Sequence, residues 1–358
     1  MYQYGHGGNA AYESGKAHML DLSANINPLG PPKGVGEAIL RSIPDCARYP
    51  DSSSRALREK LAAFEGTEPG RIFCGNGASD VIFRLPKAVG ARKILVTAPT
   101  FSDYERSAGS WGAEVLRYPL PAANGFALDG GFAQMAREER PDLVYVCNPN
   151  NPTGALAGAG LLEELLACCR DVGAWVAVDE CFLDFAGKAG EHTCKAFLGT
   201  YANLVVVKAF TKLFALPGIR LGYAICADEG LIGRLYLHGA DWPVSTLAQA
   251  AGMAALEGAA AYIGQSVDYV ARERGRMERA LARLGYTVFP SCANYVFLQS
   301  PFPFCLRDAL DEEGIRIRLC GNYHGLDGSY CRIAVSTAED NDRLIGAVGK
   351  VTEAFSTR

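Results

Sequence analysis

Between about residues 55 and 240 the chain alternates nearly unbroken apolar runs, at 94–97, 143–146, 175–178, 205–207 and 223–226, with helix-like stretches such as 161–170. Strands buried on both faces read as continuous apolar runs, so the alternation predicts a mostly parallel sheet covered by helices. After a helix-like segment at 266–284 the rhythm changes. Short apolar or alternating runs at 286–289, 295–299, 315–319 and 331–335, separated by turns, predict a smaller α+β domain. The first 45 residues, rich in Gly, Asn and Pro, read as an arm that joins this smaller domain or crosses to a partner chain. The expected organisation is therefore 1–45 as arm and part of the small domain, 46–240 as the large domain and 241–358 as the small domain. At roughly 150 residues per domain, 358 residues agree with two domains. Substrate would lie in the cleft between them.

Ligands of such sheets sit beyond the carboxyl ends of the strands. Asn151, Asp179 and Lys212 each follow the end of an apolar run, so three residues far apart in sequence are candidates for one pocket. Lys212 lies in Thr211-Lys212-Leu213-Phe214-Ala215-Leu216-Pro217-Gly218-Ile219-Arg220, beside a hydroxyl and eight residues before an arginine. A lysine that loses solvation near other cations becomes a nucleophile able to form a Schiff base. A carbonyl-trapping lysine flanked by phosphate ligands is what pyridoxal phosphate requires; a solvated surface lysine is the alternative for this segment alone.

Two further groups support the cofactor. A pyridine nitrogen acts as an electron sink only while protonated, and the carboxylate of Asp179 could hold that charge. A phosphate needs backbone donors at a helix start together with cations or hydroxyls. Gly75-Asn76-Gly77-Ala78-Ser79-Asp80, just before apolar Val81-Ile82-Phe83, supplies a glycine turn and a helix start that Thr211 and Arg220 would complete. Phe101 or Tyr104, after the run at 94–97, could stack on the ring or simply pack in the core. Arg318 and Arg332 lie on or beside expected strands, where an arginine without an anion is costly, and are candidates for gripping the substrate's anion.

Composition narrows the classes. A net charge of −4, from 35 basic and 39 acidic residues, leaves no cationic stripe for nucleic acid or anionic lipid. The 12 cysteines include no Cys-x-x-Cys pair and include the adjacent Cys168-Cys169, which reads as free thiols in a reducing cytoplasm and offers no metal site. The N-terminus lacks a basic-then-apolar progression, so neither a signal peptide nor an anchor is expected. The apolar stretch 243–263 is interrupted by Gln249 and Glu257 and suits a buried helix rather than a membrane span.

Asn148-Pro149-Asn150-Asn151-Pro152-Thr153-Gly154, Asp179-Glu180, Thr211-Lys212 and Gly218-Ile219-Arg220 together resemble the fold-type I pyridoxal-phosphate enzymes, the class I/II aminotransferase superfamily, over essentially the whole chain. Within it, His6-Gly7-Gly8-Asn9, Ser23-Ala24-Asn25-Ile26-Asn27-Pro28-Leu29-Gly30, Arg48-Tyr49-Pro50-Asp51, Ala293-Asn294-Tyr295 and Asn322-Tyr323-His324-Gly325-Leu326-Asp327 are similar to the threonine-phosphate decarboxylases of cobalamin biosynthesis, relatives of the histidinol-phosphate aminotransferases. The resemblance implies an aminotransferase-like fold and pyridoxal 5′-phosphate attached to Lys212. It implies that Asp179 pairs with the ring nitrogen, that Asn151 contacts the ring oxygen, and that Ala78, Ser79, Thr211 and Arg220 hold the phosphate. Tyr49 would reach that phosphate from the second subunit of a homodimer. It matches Arg332 to the arginine that anchors the substrate carboxylate in the aminotransferases, and the candidates for binding the substrate, a small phosphorylated amino acid, are His6, Gly8, Asn9, Asn27, Asn151, Arg318 and Arg332. Two positions depart from the wider group: Phe182 stands where many members have a tyrosine, and Ala209 where a phosphate-binding serine is common.

The bond that breaks in such enzymes stands perpendicular to the cofactor ring. An arginine holding the substrate carboxylate in the ring plane favours transamination; a free, upright carboxylate leaves as carbon dioxide. The expected reaction is decarboxylation of L-threonine O-3-phosphate, with Arg332, Arg318 and the 6–9 arm on the phosphate and Lys212 protonating Cα. The alternative is an aminotransferase. An effector-binding module of a regulator fits less well, since the chain has no basic helix-turn-helix segment.

Overall fold

The computed structural model describes Gly7, Gly8 and residues 19–356. Among them seven strands form one sheet: β2 (Ile72–Gly75), β3 (Lys93–Ala98), β4 (Glu114–Pro119), β5 (Leu143–Cys147), β6 (Trp175–Asp179), β7 (Leu204–Ala209) and β8 (Gly222–Cys226), in the order 2-8-7-6-5-3-4. The pairings from β4 to β7 are parallel, and β8 alone runs against both its neighbours. β5 and β8 are buried at every position, which is why these segments carry no polar alternation. Two apolar layers cover the faces of this sheet. One contains Leu57, Leu61, Leu162, Leu165, Val176, Val206 and Ala251; the other contains Val81, Leu85, Tyr104, Tyr145, Val205 and Leu231. Val205 and Val206, neighbours on β7, fall in opposite layers as the strand period demands.

A second sheet is antiparallel throughout, in the order β12 (Arg318–Leu319), β13 (Tyr330–Ala334), β10 (Tyr295–Gln299), β9 (Thr287–Phe289). It packs with the long helix Ala259–Arg283 and the C-terminal helix Ala338–Ser356 around Leu298, Leu310, Ile333 and Leu344. β1 (Leu20–Asp21) pairs in parallel with β11 (Ile315–Arg316), so the segment around residue 20 is bonded to the C-terminal part of the chain. The run at 315–319 that reads as one strand in the sequence is two: β11 and β12 belong to different sheets. The apolar stretch 243–263 divides into the helix Thr246–Ala255 and the start of Ala259–Arg283. No helix among the described residues is long and apolar enough to cross a membrane.

Candidate active site

A cavity of about 330 Å³ opens at the carboxyl ends of β5, β6 and β7. Its wall includes Ala78, Ser79, Phe101, Asn151, Asp179 and Lys212, and beyond them Thr211, Arg220, Arg318 and Arg332. The sheet accounts for most of this convergence, because side chains leaving adjacent parallel strands at one end face the same crevice.

At one side the helix Ala78–Val89 points its N-terminus into the cavity, offering backbone N–H groups and the positive end of the helix dipole. Gly77 caps it with φ 79° and ψ 167°, a positive-φ conformation open essentially to glycine alone. A Cβ there would also stand 2.6 Å from Arg220 Nη2, so the guanidinium lies directly against the turn. Arg220 is steadied by its bond to the Pro217 carbonyl, 3.2 Å, and Ser79 Oγ donates to Asp103, 3.2 Å. Backbone donors, a hydroxyl, Thr211 and a guanidinium around one corner fit a phosphate monoester.

In the centre, Asp179 is buried with a donor on each oxygen. The Cys181 N–H donates to Oδ1, 3.0 Å, and the Tyr104 hydroxyl to Oδ2, 2.8 Å. Burial pushes the Asp179 carboxyl above its usual range, and these donors with the Lys212 charge oppose that rise. Burial, reinforced by Arg332 and Arg220, pulls the Lys212 amine down to about 8, the condition for a lysine that reacts as a free base. Its Nζ lies 5.7 Å from the centre of the Phe182 ring. Asn27 holds the loop from behind: its backbone N–H donates to the Lys212 carbonyl, 3.2 Å, and its amide to Leu213 O and Ser266 Oγ, both 2.7 Å.

Opposite the helix start lie two more arginines. Arg332 is 6% exposed and donates to Asn151 Oδ1, to Ser23 O at 2.8 Å and to the side-chain oxygen of Asn25 at 3.1 Å. Because Arg332 occupies the Asn151 oxygen, the Asn151 amide N–H groups remain for an acceptor in the cavity. Arg318 donates to Leu319 O, 2.7 Å, and Asn322 Oδ1, 2.8 Å. Neither guanidinium has a carboxylate partner among the described residues.

Several candidates stand elsewhere. Tyr104 is buried beneath the floor rather than on the wall, and Asn27 is turned away from the cavity. Gly8 is exposed and bonds Ser23 Oγ, while Gly7 beside it reaches the wall. Tyr49 is 79% exposed, stacked on Trp242 at 4.3 Å, and away from the cavity of its own chain. His6 and Asn9 lie outside the described residues. The sequence reading missed Asn25, Cys147, Cys181 and Tyr323 on the wall. Asn25 sits two residues before Asn27 in one extended motif, and nothing in the sequence distinguishes the asparagine that faces the cavity.

No cluster of His, Cys, Asp or Glu among the described residues could hold a metal ion. An amine held near neutrality, an opposing carboxylate and a phosphate-shaped corner do fit pyridoxal phosphate. Comparison with known proteins agrees. The sequence profile for aminotransferase class I and II matches residues 17–348. A threonine-phosphate decarboxylase of Salmonella typhimurium is 33% identical over 98% of this chain and 97% of its own. A histidinol-phosphate aminotransferase of Desulfitobacterium hafniense is 34% identical over 95% of this chain and 94% of its own. The crystal structure of a histidinol-phosphate aminotransferase from Clostridium acetobutylicum superposes with a TM-score of 0.87, at 29% identity, over 94% of this chain and all of that one. The chain belongs to the class I and II aminotransferases, a family of pyridoxal-phosphate-dependent enzymes with the aminotransferase fold.

Proposed function

We propose that the protein decarboxylates L-threonine O-3-phosphate to (R)-1-aminopropan-2-yl phosphate, a step of cobalamin biosynthesis, as a cytoplasmic homodimer. The observation that carries the reading is the pair Arg318 and Arg332. They are direct partners in the β12–β13 register, both line the cavity, and neither meets a carboxylate among the described residues. Arg220 and the helix start suffice for the cofactor's phosphate, so this second cationic place is available for an anion on the substrate. A phosphate dianion between two guanidiniums is the match by charge and geometry.

Bound pyridoxal phosphate supplies the electron sink into which a bond to the substrate's Cα can break. The chain supplies orientation and a proton. With both arginines on the phosphate, the α-carboxylate is left without a guanidinium to hold it in the ring plane. The Cα–carboxylate bond breaks, its electron pair stays with the carbon skeleton, carbon dioxide departs, and Lys212 Nζ delivers a proton to Cα. With the cofactor bound, Asp179 would hold the proton on the ring nitrogen, and the Asn151 amide would be the donor for the ring oxygen.

Histidinol-phosphate aminotransfer is the second reading, favoured by relatives of equal identity whose named substrate also carries a phosphate. Incubation with O-phosphothreonine, following carbon dioxide, against histidinol phosphate with 2-oxoglutarate, following glutamate, separates the two. Arg332→Ala should lose most affinity for O-phosphothreonine; retained affinity removes the proposed anchor. Leu40, Ile43, Tyr49 and Trp242 are exposed, and under this reading a second copy covers Tyr49. A strictly monomeric protein in sedimentation would remove its proposed role.

A further inference from the structure

We propose that Tyr104 is the positioning residue of Asp179: its hydroxyl, beneath the cavity floor, fixes the carboxylate that faces the cofactor's ring nitrogen. The inference rests on the assignment of Asp179 to that nitrogen.

Tyr104 is fully buried, and its orientation is set by neighbours on three sides. Its ring stacks on Tyr145 with centroids 4.8 Å apart and planes at 12°, and Phe101 meets it edge-on at 5.7 Å. Tyr145 is anchored in turn by its hydroxyl on the Ile82 carbonyl, 2.8 Å, and Ser107 Oγ bonds the Tyr104 carbonyl, 2.7 Å. So placed, the phenol donates to Asp179 Oδ2 at 2.8 Å, with the Cys147 thiol beside it.

The chemistry gives the contact a purpose. A carboxylate retained in a buried place needs donors on its ionised form, since a neutral carboxylic acid would not hold a proton on the ring nitrogen. The groups that face Asp179 are Tyr104, the thiols of Cys147 and Cys181, the Cys181 N–H and the Lys212 amine. Burial and the Asp179 charge push both thiols above their ordinary range, so neither competes as an anion. The neutral Cys181 thiol and the Tyr104 hydroxyl are thus the side-chain donors that stabilise the carboxylate, and Tyr104 supplies the one on Oδ2. Phe101, which does reach the cavity wall, remains for the ring face.

The test is the affinity of the ligand-free protein for pyridoxamine 5′-phosphate, which needs no reaction with Lys212, measured by fluorescence titration across pH. Tyr104→Phe keeps the ring and removes the hydroxyl. It should bind roughly tenfold more weakly at neutral pH. Its affinity should also begin to fall at a higher pH than wild type on acidification, because Asp179 takes up a proton more readily with one donor gone. Tyr145→Phe, which removes a neighbouring buried hydroxyl but no donor of Asp179, should titrate as wild type. Wild-type affinity and pH dependence in Tyr104→Phe, or an equal loss in Tyr145→Phe, overturns the inference. Asp179→Asn identifies the source of a failure: if it binds as wild type the assignment of Asp179 is wrong and the inference falls with it, whereas if it binds weakly and Tyr104→Phe does not, only the role of Tyr104 is lost.

Discussion

Arg318 and Arg332 stand opposite each other on β12 and β13, each held by neutral oxygens and each facing the cavity. Like charges directly opposite on antiparallel strands are destabilising, so the pair is best explained by an anion that joins them. Arg318→Met should leave the melting temperature of the ligand-free protein unchanged or raise it, since repulsion is relieved. The same variant should raise KM for O-phosphothreonine roughly 10–100-fold, the loss expected for charge-assisted hydrogen bonds. Thermal melts beside steady-state kinetics check both. A lower melting temperature with unchanged KM would make the pair structural.

The Lys212 amine gives a pH dependence whose sign can be worked out. Its folded value, about 8, lies below the ordinary lysine value of 10.5. Between these values the unfolded chain binds more protons than the folded one, so stability rises with pH across the window. Below about 8 the amine is charged in both states and the penalty of burying it is fully present, on the order of 3 kcal/mol. Lys212→Met should therefore make the ligand-free protein more stable than wild type at pH 7, with the difference closing as pH approaches 10.5. Urea midpoints at four pH values measure this, and a constant difference across the series would show that the amine is not depressed. The same variant should lose turnover entirely.

Gly222 begins β8 beneath the phosphate corner. A Cβ on it would stand 2.3 Å from the Ala78 backbone nitrogen, a contact that no side-chain rotation relieves. Gly222→Ala should displace the helix start and weaken pyridoxal-phosphate binding at least tenfold, with a loss of stability in the overpacking range of about 1–3 kcal/mol. Gly218→Ala meets nothing within 4 Å and should bind as wild type, although it lies closer in sequence to Lys212. Equal behaviour of the two variants in a cofactor titration would contradict this account of the corner.

The parts of the fold that could be read from the sequence are those where burial leaves a one-dimensional trace. β5 is apolar to its last residue and β6 as far as its final Asp179, and Asn148, Asp179 and, beyond β7, the Thr211-Lys212 pair mark the exits from the sheet. Long-range partnership leaves no such trace. Tyr104 is 75 residues from the carboxylate it serves and 181 residues separate Asn151 from Arg332, so stacking on a ring or packing in a core were the readings open for Tyr104. The reversal of β8 was equally hidden, because a strand buried on both faces looks the same in either direction. The split of 315–319 depends on which neighbour each half pairs with.

Lys208 shows the same limit on the other side of the sheet. It lies in β7, one residue past the apolar run 205–207, and is buried. Its Nζ is 3.2 Å from Glu65 Oε1 and 3.6 Å from Asp184 Oδ1, while Lys195 and the Tyr223 hydroxyl also contact Glu65. Burial pushes Glu65 upward, but the two lysines prevail and hold its carboxyl below the ordinary value. Glu180, beside Asp179, is raised to about 7 by burial with Lys208 opposing the rise, and accepts bonds from Thr193 and the Cys194 N–H. Removing one partner of such a group strands the remaining buried charges, so Lys208→Met should cost about 3–5 kcal/mol. Because Glu65 is depressed in the folded state, its contribution is present above its unfolded pKa and is lost as pH falls through the lower folded value. The destabilisation in Lys208→Met should accordingly be larger at pH 7 than at pH 3 in denaturant titrations. A uniform loss across that range would mean that Lys208 stabilises the core through packing of its methylene chain rather than through its charge.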